Sequence, residues 1–263
     1  MHRARPRGTR LVAIAMAACL LSTVTGCVRD GDGAASRRDE PVSGAATTSP
    51  VSVSPPSVDP AAGLRLVGGD EFDGTMVDQS RWGEYDSAGN DGLGLRRPSQ
   101  ITESGGALTM TCTADGVTGG MMYLTPFTYG LWEARVKASA ASGNVHPVLL
   151  LWPAHDEWPA GGEVDYMEVF DPARRAVSGF LHYGADNRQT EGTVDVDVTA
   201  YNVFAVRWTP GGIFYYVNGI QWFADTDVAH LPPGPMQAAI QLDYFGGPAT
   251  PGTMTLDWIR IYQ

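Results

Sequence analysis

From residue 64 to the C-terminus, apolar and polar residues alternate in short runs broken by glycine, proline and aspartate. "ALTMTCTA", "GLWEARVKAS", "NVFAVRWT", "GIFYYVNG" and "GTMTLDWIRIYQ" are examples. No stretch keeps an apolar repeat of helical period for more than about two turns, so the pattern predicts many short strands. Strands at this density over one domain predict an antiparallel sandwich. Asn218 and Gly219 separate two of these runs, and that residue pair is preferred in a tight type I′ hairpin. No internal repeat of fixed period is present.

One run breaks the alternation with charge. In "PAGGEVDYMEVFDP", Glu163, Asp165 and Glu168 stand among Val164, Tyr166, Met167, Val169 and Phe170. Aromatic and β-branched neighbours call for a strand. Side chains alternate across a strand, so Glu163 and Asp165 share a face while Glu168 would point into the dry interior beside Val164. An unpaired carboxylate there is costly. One extra residue at Tyr166 or Met167, bulging from the ladder, returns Glu168 to the face of the other two acids and Val169 to the core.

Three carboxylates in a row suit general acid/base and nucleophilic work on a glycosidic bond. A retaining glycosidase needs two carboxyl groups about 5 to 5.5 Å apart, so Glu163 and Glu168 must lean towards each other. Glu163, ionised, then attacks the anomeric carbon, and Glu168, protonated, donates to the leaving oxygen and later activates water. Asp165 lies between them and helps hold charge and proton in place. Like charges at such range cannot all ionise, which keeps one proton near neutral pH. A calcium site or a solvated edge strand would also cluster acids in this way.

The front of the chain has a different texture. Arg3, Arg5, Arg7 and Arg10 precede an apolar run from Leu11 to about Val24, the layout of a secretory signal. That run is too short for a membrane span, which needs about 20 apolar residues. It ends in Val24, Thr25, Gly26 and Cys27, which resembles the lipobox of bacterial lipoproteins and makes Cys27 the expected lipidation site. Residues 1–26 are therefore read as a signal and 28–63, rich in Ser, Pro and Ala without an aromatic residue, as a disordered tether. Some 35 such residues span roughly 30 to 35 Å. The expected location is the extracellular face of the cell membrane, with membrane contact through the lipid alone; an ordinary signal peptide with a chance cysteine would instead give a secreted domain.

Charge and cysteine narrow the picture further. The signal holds four of the 18 Lys and Arg and none of the 29 Asp and Glu, so the mature chain carries 14 basic against 29 acidic residues, a formal −15. Nucleic acid is thereby disfavoured, because phosphate contacts need clustered Lys and Arg, and a neutral ligand is favoured. Of three cysteines, Cys19 leaves with the signal and Cys27 takes lipid. Cys112 is left without a partner, so a domain at 64–263, expected as a monomer, must stand on its core alone.

"EVDYME" matches the bulged ExDxxE signature of glycoside hydrolase family 16, on the laminarinase side of that family. Around it, "DEFDG" with Trp82, "YGLWEARVKAS", "FAVRWTPGGIFYYVNG" and "LDWIRIY" resemble other family segments in family order. The resemblance implies a concanavalin-like β-jelly roll of two curved antiparallel sheets with an open substrate groove. It also implies no cofactor, a polysaccharide partner and endo-acting hydrolysis of a β-glycan, with β-1,3-glucan favoured by the bulged motif. Glu163 matches the family's nucleophile, Asp165 its assisting carboxylate and Glu168 its acid/base. Two other activities use the same surface: transglycosylation at the same site, and non-catalytic carbohydrate binding by a lectin-like module.

The surrounding residues carry further expectations. Trp158, in the family-like "WPxxGE" position, and Trp152 are candidates to stack on pyranose rings. The resemblance puts His182 near the acids, where the alternative is a structural histidine. The family commonly reads WPAFWLL where this chain reads "HPVLLLWP", so His146 and Leu150 stand at usual tryptophan positions and Trp152 follows two residues later on the same face. Trp82, Trp132, Trp208 and Trp258 are expected in the core, and Arg135 and Lys137 on a pairing or solvated face. Glu71 and Asp257 resemble positions where some members hold a structural calcium ion.

Overall fold

The computed structural model describes residues 59–263. The signal, Cys27 and the tether up to residue 58 lie outside the described residues. Two large antiparallel sheets form the domain. The first runs, in spatial order, Ile220–Asp225, Gly212–Val217, Asn202–Thr209, Gly130–Ala138, Gly252–Tyr262, Leu108–Cys112 and Ile101–Glu103, with Leu66–Asp70 also paired to Gly252–Tyr262. The second runs Arg188–Asp195, Ala176–Tyr183, Glu163–Glu168, Val145–Pro153, Met236–Tyr244, Gly120–Tyr123 and Trp82–Glu84.

The alternation in sequence becomes the core between these sheets. In Gly130–Ala138, Trp132, Ala134, Val136 and Ala138 point inward, while Arg135 and Lys137 lie over the Tyr201 ring on the outside. Val145–Pro153 is buried on both faces: Val145, Leu149 and Leu151 enter the main core, and Val148, Leu150 and Trp152 pack on the outer face with Ala239. The expected hairpin is present, with Val217 paired to Ile220 and both Asn218 and Gly219 at positive φ.

Two expectations change. The folded part begins before residue 64: Asp59–Gly63 forms turns, Arg207 donates to the Pro60 carbonyl at 2.9 Å, and Ala61 packs near Leu131 and Tyr216. Trp82, Trp132 and Trp208 are core residues, but Trp258 is not. A bulge between Leu256 and Trp258 turns its ring outward, where the Arg260 guanidinium covers it at 4.1 Å.

Candidate active site

The strand Glu163–Glu168 lies inside the second sheet, with a neighbour on each side. Opposite it in Val145–Pro153, Asp165 pairs with Leu150 and Met167 with Leu149, leaving Tyr166 without a partner. On the other side Asp165 pairs with Phe180 and Glu168 with Ser178, so two residues face Gly179 alone. This is the anticipated bulge at Tyr166 and Met167. Gly179 has no side chain because a Cβ there would fall 2.9 Å from the Trp222 ring and 3.2 Å from the Asp165 carbonyl. Val164, Tyr166, Met167 and Val169 enter the core, and Glu163, Asp165 and Glu168 line one recess on the outer face.

Each acid has its own partner. The Trp158 indole N–H donates to Glu163 Oε2 at 2.9 Å. His182 Nε2 lies 3.2 Å from Asp165 Oδ2, and His146 Nδ1 lies 3.1 Å from Glu168 Oε1. Oxygens of Glu163 and Asp165 and a ring nitrogen of His182 lie within 4.8 Å of one another. Burial, followed by the charge of Asp165, holds the Glu163 carboxyl well above the usual carboxylate range. Burial also raises Glu168, against the opposing hydrogen bond from His146. For His182, burial favours the neutral ring, but the hydrogen bond and charge of Asp165 together with Glu163 and Asn187 outweigh it and push the imidazole up to about 9. His182 is thus protonated at neutral pH and faces Asp165 as an imidazolium.

Trp158 and Trp152 stack at 6.2 Å with planes 9° apart. Trp158 is the half-buried outer member; Trp152 is only 2% exposed, and its N–H is taken by Asp156 at 3.1 Å. Trp152 therefore supports Trp158 from beneath rather than presenting a free ring face, because its own outer surface is covered.

Several lining residues carried no sequence signal. Asn90, Phe170, Phe180, Gln189, Asp243 and Phe245 complete the recess. Asp243 is bound by the fully buried Arg96, whose Nε donates to Oδ1 at 3.0 Å and whose Nη2 also reaches Gln241 Oε1 at 2.9 Å. The Asn90 amide is buried with both its polar atoms unpaired among the described residues.

Glu71 and Asp257, which resemble calcium-holding positions, are each engaged by an arginine. Arg260 grips both oxygens of Glu71, at 2.7 and 2.9 Å, and Arg135 takes Asp257 at 2.5 Å. A calcium ion there would have to displace both guanidinium groups and draw its remaining oxygen ligands from backbone carbonyls and water.

The model of the glycosyl hydrolases family 16 matches residues 95–260. A glucan endo-1,3-beta-glucosidase A1 of Niallia circulans is 26% identical over 81% of this chain, which spans 40% of that protein's length. A beta-glucanase of Rhodothermus marinus is 25% identical over 78% of this chain and 87% of its own length. Among solved structures, the laminarinase catalytic domain of Thermotoga maritima superposes with a TM-score of 0.69 at 19% identity, covering 76% of this chain and 98% of that one. That likeness extends the jelly-roll expectation to the whole described domain. With its two-sheet fold, its bulged acidic strand and a family match over most of the domain, the chain belongs to glycosyl hydrolases family 16 and is a glycoside hydrolase.

Proposed function

We propose that the protein is a retaining endo-β-glycan hydrolase with β-1,3-glucan as its substrate. The observation that carries this reading is the bulge, which brings Glu163, Asp165 and Glu168 to one face. Glu163 acts as the nucleophile: the Trp158 N–H and the imidazolium of His182 favour negative charge on it, against burial and the neighbouring Asp165. Glu168, raised by burial, keeps a proton for the leaving oxygen, as a general acid requires. Asn90, with an unpaired donor and acceptor beside the acids, is suited to a sugar hydroxyl.

The names of the relatives in Niallia and Rhodothermus support a glucan. A keratan-sulfate endo-1,4-beta-galactosidase of Sphingobacterium multivorum, 25% identical over 55% of this chain and 40% of its own length, offers an anionic alternative. The recess offers a sulfate no guanidinium or ammonium group, its lining being acids, amides, apolar side chains and the Asp165-bound His182. The test is turnover on laminarin, mixed-linkage glucan, agarose, carrageenan and galactan by the wild type and by Glu163→Gln and Glu168→Gln. Laminarin is cleaved best, with products of unchanged anomeric configuration, and each variant loses activity by orders of magnitude while folding normally. Ordinary activity in either variant would end the assignment, and products longer than the substrate would replace hydrolysis by transglycosylation.

From the signal-like start and the lipobox-like VTGC we further propose display outside the cell on a lipid-anchored tether. Metabolic labelling with a fatty acid tests it: label goes into the wild type and not into Cys27→Ala.

A further inference from the structure

His146 is buried on the outer face of Val145–Pro153, with its ring stacked on Phe245 at 4.1 Å and edge-on to Phe170 at 4.5 Å. Its Nε2 lies 2.9 Å from the Gly143 carbonyl, which can only accept, so Nε2 carries a hydrogen. Its Nδ1 therefore meets Glu168 Oε1, at 3.1 Å, in one of two ways. Either a neutral ring accepts the carboxyl proton, or an imidazolium donates to the carboxylate. Without a proton between them, two lone pairs would confront each other in a site closed by aromatic rings.

We propose that His146 and Glu168 form one proton-holding unit, in which Nδ1 and Oε1 share a single proton and His146 is the positioning residue of the acid/base. This rests on the reading of Glu168 as the acid/base. In the first half of the reaction, Glu163 bonds to the anomeric carbon as the glycosidic C–O bond breaks, and the leaving oxygen takes a proton from Glu168. In the second half, the oxygen of water bonds to the anomeric carbon, the ester bond returns its electrons to Glu163, and the proton of water goes back to Glu168. The transition state needs one proton on the pair, whichever atom held it before, so the pH dependence follows the proton count of the pair.

Other charged groups face this unit from every side. Glu163 and Asp165 approach from its own strand, His182 from Ala176–Tyr183, and Asp243, opposite His146 in register and bound to Arg96, from Met236–Tyr244. The Arg174 guanidinium holds the backbone carbonyls of Val145 and Val169 next to the pair. The bond to His146 draws the proton towards the ring and so opposes the effect of burial on Glu168 itself. It does not take the proton out of the pair. A lone Glu168 would release its last proton at a lower pH than the pair does, because only the pair pays for confronting lone pairs.

The experiment has two arms. Nitrogen NMR follows the titration of the His146 ring in the wild type and in Glu168→Gln; with the carboxylate gone, the ring loses its proton about one pH unit lower or more. The alkaline limb of kcat/KM on the best glucan is measured for the wild type and His146→Phe, which keeps the aromatic stack and removes the acceptor. That limb moves down by about one pH unit. An unmoved ring titration in an otherwise inactive Glu168→Gln overturns the shared proton and leaves the assignment of Glu168 standing. An unmoved limb in a folded His146→Phe overturns it as well, and if that variant does not fold, the ring titration decides alone. Wild-type activity in Glu168→Gln removes the acid/base reading itself, and the inference with it.

Discussion

Trp158 donates its indole N–H to Glu163 at 2.9 Å, so the aromatic residue expected to cradle a sugar also holds an acid in place. Trp158→Phe keeps a ring over Trp152 and removes the hydrogen bond to the carboxylate. A hydrogen bond to a charged group contributes about 1.5 to 3 kcal/mol, so kcat falls roughly 10- to 100-fold with KM little changed. Steady-state kinetics on the preferred glucan separates this from loss of a stacking platform, which would raise KM instead.

Glu163 carries a cost in stability. Its folded carboxyl is held well above the ordinary 4.5, so the folded chain keeps a proton that the unfolded chain releases. Stability is then highest below about pH 4.5 and falls as pH rises from there through the raised folded value. Glu163→Gln removes this loss. At pH 7.5 it melts higher than the wild type, and at pH 4 the two converge. Thermal melts across that range check it.

His182 titrates in a different window. Its imidazole is raised from 6.5 to about 9, so its contribution is fully present below pH 6.5 and disappears as pH rises through 9. His182→Asn is therefore less stable than the wild type at pH 6, and the gap closes by pH 9.5. Denaturant midpoints at three pH values between these limits measure the closing gap.

Arg174 binds four backbone carbonyls, those of Ser139, Val145, Val169 and Asp171, at 2.9 to 3.3 Å from a buried position. It ties the segment that follows Glu168 to the start of Val145–Pro153. Arg174→Met leaves these acceptors unpaired and destabilises the domain by about 3 kcal/mol or more. Urea denaturation measures it, and activity per folded molecule falls as the spacing of His146 and Glu168 loosens.

Much of the site could be read from parity. Val164 and Val169 must both face the core while Glu163 and Glu168 must both avoid it, and only a bulge between them meets both demands. The Asn218–Gly219 hairpin was legible for a similar reason, since both residues adopt the positive φ that its turn requires. Less accessible were features that depend on distant partners. Arginine is usually a surface residue, so nothing marked Arg96 and Arg174 as buried clamps. The bulge next to Trp258 gives no such signal, because Asp257 faces outward after Leu256 on a regular strand as well, which is why a core position was expected for Trp258. Trp152 was assigned to the right face, but its covering by Trp158 depends on a loop whose path alternation does not describe.

The bulge at Tyr166 and Met167 makes the catalytic row a matter of counting. A strand reads its side chains in twos, and this one inserts a single uncounted residue between Asp165 and Glu168. Substitutions along it change chemistry or packing locally, each at its own position. Adding or removing one residue does to this strand what a frameshift does to a gene: everything downstream exchanges inside for outside, and Glu168 trades places with Val169. Loops around the groove can change length without moving the three acids, whereas these six residues have almost no freedom in number.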